Sequence, residues 1–465
     1  MKRLVKIVGI GLAGLALIAV GLVAFLVMRN LSDDALDADV AKLLAMSPPQ
    51  IAAADNGYFA WIGVVGRETE APHAWGRRWY EQALEADKRK HSEDAENARL
   101  PIEGETRSER FAAKDLLCDK PESCLDEVAA APERAVALVV KADATLTRGY
   151  EAMQFPAYQE AWRPDFNFRS SFPAQPSHWR QLSATHFALA VVSDRHDEAL
   201  AMLERQMRFH VRQMQGAATL LEKIIAIGGL RGDYQLLNSY LERYPAAARS
   251  RAERIGGLLK PLPPDALGMR TAMATECRAA LRMLLSLKEE AVRKKQAAEE
   301  DRLLGLPAPV GDFLAMPLYL PNATANDRYR TYRAVFDLDD KSGEDYRLAL
   351  ATIRQRDEPR DFGFEDLVIR NPIGHILLRV GTPDFEPYYL KRDDLLVLRA
   401  SVALQLDLLR RGIRDDESIR RTISEAELVH SFTGETPVWD SAKRKLTYQA
   451  QPGRKGQPLV LAIGS

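Results

Sequence analysis

The N-terminal segment from Leu4 to Met28 is the feature that most limits how this chain can fold, because it is almost entirely apolar. No charged residue occurs between Ile7 and Met28. As an α-helix, about 22 residues at about 1.5 Å each span about 33 Å, whereas the hydrocarbon core of a bilayer is about 30 Å thick. The sequence therefore predicts one transmembrane helix, with residues 1–29 forming the cytoplasmic N-terminus and the anchor.

The charges on the two sides of this segment predict its orientation. Three basic residues precede its uncharged stretch, which begins at Ile7, and only Arg29 follows it directly, before an acidic group. The basic residues are Lys2, Arg3 and Lys6, and the acidic group consists of Asp33, Asp34, Asp37 and Asp39. Because basic residues favour the cytoplasmic side, we expect a single-pass protein of the inner membrane with a cytoplasmic N-terminus. The bulk of the chain would then lie in the periplasm or another extracytoplasmic space.

A cleaved signal peptide is the competing interpretation of the same segment. The apolar region of a signal peptide is usually about 7 to 15 residues long and ends at a cleavage site of small residues. Large side chains occupy positions 25–29, and no such site follows closely. The pattern favours an uncleaved anchor.

The apolar segment also contains Gly9, Gly11 and Gly14 in the spacing of a dinucleotide-binding motif. That motif requires a strand before it and an acidic residue about 20 positions later, within a soluble βαβ unit. We therefore reject it and predict no cofactor. Small residues such as Gly9 and Ala13 instead allow two membrane helices to approach closely, which would permit a homodimer through the anchor. The alternative is that they are ordinary lipid-facing composition.

The overall charge excludes one class of partner. The chain has 64 basic and 65 acidic residues, a formal net charge of -1, and the two signs are interspersed. Nucleic-acid-binding domains carry a basic face, and no such face is visible here. We expect the bilayer to be one partner, together with an envelope protein or the cell wall, and no nucleic acid.

Two of the three cysteines, Cys118 and Cys124, flank a turn-forming pentapeptide. In an oxidising compartment this spacing predicts a local disulfide. A metal or redox pair fits the spacing less well, since the pattern is not C-x-x-C and no His or Cys lies nearby. Cys277 lies on an apolar helical stripe and is expected to be a buried, inert thiol.

The exported part is predicted to be mainly α-helical. Apolar residues recur every three or four positions through much of it, and two alternating segments near the C-terminus predict a small β-hairpin. We divide it into three regions: residues 30–180, with an aromatic and proline-rich segment; residues 181–304, a body of helical hairpins or helical repeats; and residues 305–465, a helical region that ends in the hairpin.

Local signals predict several helix boundaries. Ser32 or Asp33 is expected to cap a short helix that ends near Met46, and the Gly228-Gly229 and Gly232-Asp233 pairs are expected to interrupt helical structure. A further helix is expected to begin near Asp327. Finally, the adjacent acids at positions 393 and 394 are expected to start a helix that ends at a glycine cap, position 412.

Two stretches are candidate interaction surfaces. Trp162, Phe166 and Phe168 lie in the proline-rich segment and could form an aromatic platform for a sugar or a peptide, or could instead pack helices together. The second stretch, Asn322 with Thr324 and Asn326, could form a peptide- or glycan-binding notch. The alternative is that Thr324 or Asn326 caps a helix while the amides satisfy loop carbonyls.

Signs of catalysis are weak. The G-x-S-x-G, S-x-x-K and H-E-x-x-H patterns are absent, so we assign no catalytic or metal-binding residue. His196 and His210 lie about four turns apart on one predicted helix and could not share a metal. Glu160 and Asp165 are the one carboxylate pair that a glycosidase hypothesis would test first.

Four patterns occur in order along the exported part: the Asp55–Tyr58 stretch, the closely spaced cysteines, the Pro321–Asn326 stretch and the Asn371–Gly374 turn. Together they resemble a group of bacterial single-span envelope proteins to which no activity is attached. The resemblance implies a mostly helical envelope protein and no specific chemistry.

The function expected from the sequence is a non-enzymatic structural or protein-interaction role in the bacterial envelope. Two other classes stay open, a cell-wall hydrolase with an unrecognised site and an envelope sensor of a small ligand.

Overall fold

The computed structural model describes residues 2–46, 51–66, 69–89, 116–161, 177–301, 318–357, 370–380, 384–426, 428–431, 433–448 and 459–462. Helix α1 spans Lys2–Arg29. From Gly11 to Arg29 its mean hydropathy is 2.6, and none of this stretch is buried against the rest of the protein. The N-terminal segment is thus a single helix that is long and apolar enough to cross a membrane.

The remainder is mainly helical, as predicted. The next helices are α2 (Ala38–Ala45), α3 (Gly57–Ile62), α4 (Pro72–Arg89), α5 (Cys124–Ala130), α6 (Pro132–Lys141), α7 (Asp143–Ala152), α8 (Ser177–Val192), α9 (His196–Gly216) and α10 (Leu220–Arg243). They are followed by α11 (Pro245–Ser250), α12 (Ala252–Leu258), α13 (Pro264–Leu267), α14 (Arg270–Asp301), α15 (Pro321–Phe336), α16 (Gly343–Asp357), α17 (Pro372–Val380), α18 (Glu386–Arg411) and α19 (Asp416–Glu425).

A small antiparallel sheet follows the helices, with strands β1 (Val438–Asp440), β2 (Lys445–Tyr448) and β3 (Leu459–Ala462) in the order β1-β2-β3. Strands β2 and β3 correspond to the predicted hairpin and pair antiparallel. Strand β1 was not predicted, because three residues are too few to show an alternating pattern.

The glycines in α10 do not interrupt the helix, which contradicts the sequence-based expectation. Gly229 lies where the ring of His210 on α9 packs against the helix backbone, and a Cβ there would come within 2.5 Å of the imidazole Nε2. Glycine is therefore required for the close approach of two helices, not for a turn.

Two other helices begin earlier than predicted. Helix α15 begins at Pro321 rather than near Asp327, and α18 begins at Glu386 rather than at Asp393. Both have a proline in the first turn, where the missing N–H costs nothing. The C-terminal end of α18 agrees with the prediction, since Gly412 adopts a left-handed conformation with φ 68°.

Three groups of buried apolar residues hold the described helices together. The largest joins α5 to α12 with α18, α19 and the sheet. A second joins Val40 and Leu43 of α2 to α14, α15, α16 and the start of α18. The third is aromatic and packs α3 and α4 around Trp75 and Trp179. The division of the chain into four regions stays a prediction.

Cys118 and Cys124 lie at disulfide distance, with Cα atoms 4.5 Å apart, and both are buried. Cys118 has a positive φ of 61°, which turns the chain back toward α5. Cys277 is fully buried on α14, as predicted, and burial raises the pKa of its thiol.

Candidate functional site

The segment that directly follows α1 is bound to the helical body, and we call residues 30–39 together with their partners the junction. Asn30 is the first residue of this segment and is 4% exposed. Its side-chain nitrogen donates to the Leu26 carbonyl at 2.7 Å, which satisfies one of the free carbonyls at the end of α1. Its side-chain oxygen accepts from the backbone amide of Asn371, also at 2.7 Å. Asn30 therefore connects the end of α1 to the turn before α17.

Asp33 caps α15 from a distance in sequence of almost 300 residues. Its carboxylate accepts hydrogen bonds from the backbone amides of Asn322 at 2.8 Å and Ala323 at 3.1 Å. A helix N-terminus has amides without intrahelical partners and a positive dipole end, and both favour a carboxylate there. The expectation that Ser32 or Asp33 caps the short helix α2 is wrong, since α2 begins only at Ala38 and the carboxylate of Asp33 is used by α15.

Asn326 holds the backbone of the junction from the side. Its side-chain oxygen accepts from the amide of Asp37 at 2.9 Å, and its nitrogen donates to the carbonyl of Ala35 at 2.9 Å. The residue is 2% exposed. The acceptor and the donor of this side-chain amide are thereby both bonded to one stretch of main chain, as the backbone groups of a neighbouring β-strand would be.

Asn371 organises the turn that receives Asn30. It has a left-handed φ of 61°, which asparagine tolerates better than most residues. Its oxygen accepts from the amide of Leu320 and its nitrogen donates to the hydroxyl of Thr324, both at 2.9 Å. The Thr324 hydroxyl in turn donates to the Leu320 carbonyl at 2.8 Å. A Cβ at Gly374 would overlap both polar side chains, so glycine is required there.

Ion pairs surround this buried core of the junction. Arg370 donates to Asp34 at 2.7 Å and to the Ser32 carbonyl at 2.8 Å. Arg330 and Arg333 of α15 lie 3.6 Å from Asp37 and 3.5 Å from Asp39. Exposed pairs of this kind contribute about 0 to 1 kcal/mol each, so the buried amide contacts contribute more to the stability of the junction.

The predicted interaction residues divide into two groups. Trp162, Phe166 and Phe168 lie outside the described residues. Thr324 and Asn326 are brought together at the junction and are buried, with their polar groups engaged by the protein's own chain. Asn322 joins them by donating to the Asp34 carbonyl at 2.9 Å. A role of these residues in binding another molecule stays a prediction.

The Glu160 carboxylate has a structural role that the sequence did not indicate. It accepts from the amides of Ala218 and Thr219 at 2.8 and 2.7 Å, and from the Thr219 hydroxyl at 2.9 Å. With 1% exposure it helps to close the N-terminus of α10. Asp165, the other member of the candidate pair, lies outside the described residues.

The two histidines of α9 have separate partners. His210 contacts Asp233 of α10 at 2.7 Å, and both side chains are buried. Burial raises the pKa of Asp233, and His210 opposes that shift. His196 lies 2.9 Å from Asp194 at the other end of the helix. Within the described ranges, no group of three or more His, Cys, Asp or Glu side chains could hold a metal ion.

Asp393 and Asp394 lie in the interior of α18, not at its start. Arg392 contacts Asp393 at 2.9 Å, and His430 contacts Asp394 at 3.0 Å. Burial raises the pKa of Asp393, which Arg392 opposes. These acids are therefore paired with Arg392 and His430 inside the fold instead of complementing the helix dipole, and their partners could not be identified from local sequence.

Comparison of the chain with family models, with curated proteins and with solved structures finds no match.

Proposed function

We propose that this chain is a membrane-anchored exported protein with a non-enzymatic structural or protein-interaction role in the bacterial envelope. In this proposal α1 crosses the inner membrane with its N-terminus in the cytoplasm. The body, built of helical hairpins or helical repeats, lies in the periplasm. The length and hydropathy of α1 support the anchor, and the cysteine pair at disulfide distance supports an oxidising compartment.

The junction is the observation that carries the proposal. A flexible tether after an anchor lets a domain diffuse over a wide volume above the bilayer. Here the tether is absent, because Asn30, Asp33 and the Asp37 amide are each bonded to the body within a few residues of the end of α1. The body would thus be held at a fixed height and orientation over the membrane. A fixed position of this kind suits a protein that binds a partner at a set distance from the bilayer.

Pairing of two anchors would fit the same role. At Gly11, Gly14 and Gly21, apart from the adjacent residues and the backbone of α1 itself, no atom of the described residues lies within 4 Å of the position that a Cβ would take. The face that these small residues form on α1 is therefore free of contacts with the described part of the body and is available to a second copy of the helix.

The topology is tested with a reporter enzyme fused after Ser465 that is active only outside the cytoplasm. We expect the reporter to be active when it is fused to the full chain. We expect it to be inactive when residues 2–29 are deleted from the fusion. Activity of a cytoplasm-specific reporter at the same position would contradict the proposed orientation.

The interaction role is tested by cross-linking in the envelope, followed by purification through a C-terminal tag. We expect a defined partner with the wild-type chain. Insertion of about ten Gly and Ser residues between Ser32 and Asp33 lengthens the chain between α1 and the body, so we expect the cross-link to weaken while the body stays folded. The same insertion after Ser465 is the control. A wild-type extract that contains only the bare monomer would argue against the role.

A further inference from the structure

A groove outside the junction combines an apolar floor with cationic walls. It lies between α9, α10 and the segment that connects α12 to α13, and it encloses about 470 Å³. This volume falls within the range of about 300 to 1,000 Å³ that is typical of small-molecule sites. Its apolar floor consists of the partly exposed Val211, Leu258 and Leu262, with the buried side chains of Met207, Leu230 and Tyr234 packed beneath them.

The groove is lined by more positive than negative side chains. Four cations line it, Arg208, Arg212, Arg254 and Lys260, against one carboxylate, Glu204. Glu204 forms ion pairs with both Arg208 and Arg254, and the latter also lies 3.6 Å from Asp197. Neither Arg212 nor Lys260 has a carboxylate partner among the residues that the structure describes.

Among the cations of the groove, Arg212 is the one whose hydrogen-bonding groups are least satisfied by the described part of the protein. One of its terminal nitrogens donates to the Met153 carbonyl at 2.6 Å. Its Nε is buried and has no hydrogen-bond partner in the described part of the chain. Burial, with a smaller contribution from the nearby Arg208, lowers the pKa of the Arg212 guanidinium. A charged group in this position gains from a counter-ion because its solvation by water is incomplete.

We propose that the groove binds a small amphiphilic anion, with its anionic head between Arg212 and Lys260 and its apolar part on the floor. The two halves of the site select this class together. A plain inorganic anion would leave the apolar floor unused, and a neutral apolar molecule would leave two cations without a counter-charge. This inference does not depend on the proposed anchoring role.

Binding is measured by calorimetry and by thermal unfolding with the full chain in lipid nanodiscs. The probes are octanoate, which has both features, octanol, which has only the apolar part, and acetate, which has only the charge. We expect octanoate to bind and to raise the unfolding temperature, and octanol and acetate to bind at least about tenfold more weakly. Equal binding of octanol and octanoate, or no binding of octanoate, would overturn the proposal.

Two kinds of variant test the assigned residues. Lys260→Gln removes an exposed charge and is expected to weaken octanoate binding about tenfold, as for the loss of a charge-assisted hydrogen bond. Lys341→Gln, in the turn before α16, is the matched control and is expected to leave binding unchanged. Because Lys260 is exposed, its variant should unfold at the same temperature as the wild type without ligand.

The second kind of variant fills the groove. Gly257 lines it, and a Cβ there would meet no atom within 4 Å, so larger side chains fit at this position without a clash at Cβ. Gly257→Phe is expected to block octanoate, and Gly257→Ala to leave binding within about twofold of the wild type. Wild-type affinity in both Lys260→Gln and Gly257→Phe would place octanoate elsewhere and refute the assignment.

Discussion

The side-chain oxygen of Asn30 accepts a 2.7 Å hydrogen bond from the backbone amide of Asn371, which joins the first residue after α1 to a turn 341 positions later. The same turn contacts α15 through Thr324 and Leu320. The end of the apolar helix, the start of α15 and the start of α17 therefore meet at one buried polar centre. Substitution of Asn371 measures how much this polar centre contributes to the free energy of unfolding.

Replacing Asn371 by glycine keeps the left-handed backbone accessible but removes the side-chain oxygen that accepts from Leu320. Leu320 is 1% exposed, so its amide is left without a partner or with a poorly placed water. We expect the free energy of unfolding to fall by about 2 kcal/mol in a urea titration. Asn371→Ala should lose about 1 kcal/mol more, because a Cβ disfavours this conformation. Equal stability of the glycine variant and the wild type would show that these contacts do not stabilise the junction.

Adjacent glycines in α10 provide a matched pair of substitutions. Gly228→Ala should raise the unfolding free energy by up to about 1 kcal/mol, since alanine is the better helix former and the nearest atom to its Cβ lies 3.7 Å away. Gly229→Ala should lower it by about 1 to 3 kcal/mol, because the new Cβ would displace His210 from Asp233. Thermal unfolding of the two variants measures both changes. If Gly229→Ala is more stable than the wild type, the packing of His210 on Gly229 is contradicted.

Lys223 gives a pH-dependent contribution to stability. Burial lowers the pKa of its ammonium group to about 8, although the group donates to the Met214 carbonyl at 2.6 Å. The unfolded chain keeps the ordinary pKa of 10.5 and so binds more protons than the folded chain between pH 8 and 10.5. In that window the contribution of Lys223 to the unfolding free energy should rise with pH, by about 3 kcal/mol in total.

The control for this effect is Lys223→Met, which keeps a side chain of similar length without the charge. The difference in unfolding free energy between wild type and variant removes the contribution of the tyrosines, which titrate in both. We expect the difference to rise in favour of the wild type from pH 8 upward. A difference that is constant with pH would mean that the ammonium group is not desolvated.

The cysteines predict a simple labelling pattern. When the denatured chain is alkylated without reductant, one label should attach, at Cys277, and three should attach after reduction. Mass spectrometry counts the labels. The double variant Cys118→Ser/Cys124→Ser should lose about 2 kcal/mol of stability, since the bridge restricts a short loop of the unfolded chain. Three labels before reduction would refute the bridge.

The candidate site was only partly accessible to sequence reasoning. Asn322, Thr324 and Asn326 were selected for their short polar side chains near a helix start, and the structure places them at the junction. Their partners were missed, because Asp33 lies 289 residues before Asn322 and Asn371 lies 47 residues after Thr324. The sequence predicts that Ser32 or Asp33 caps the helix directly after it, whereas the structure shows Asp33 at the N-terminus of α15.

Features that depend on neighbouring residues were determined by the sequence itself. The apolar length of α1, the left-handed cap at Gly412, the paired β2 and β3 strands and the close cysteines each follow from a local pattern. Only the tertiary structure decided whether a residue that can interrupt or start a helix does so in the folded protein. Gly229 lies inside a helix and makes room for the ring of His210, and Asp393 is buried beside Arg392 instead of starting a helix. Local propensities amount to about 1 kcal/mol or less per residue, so a buried charge or a steric contact from a distant part of the chain outweighs them.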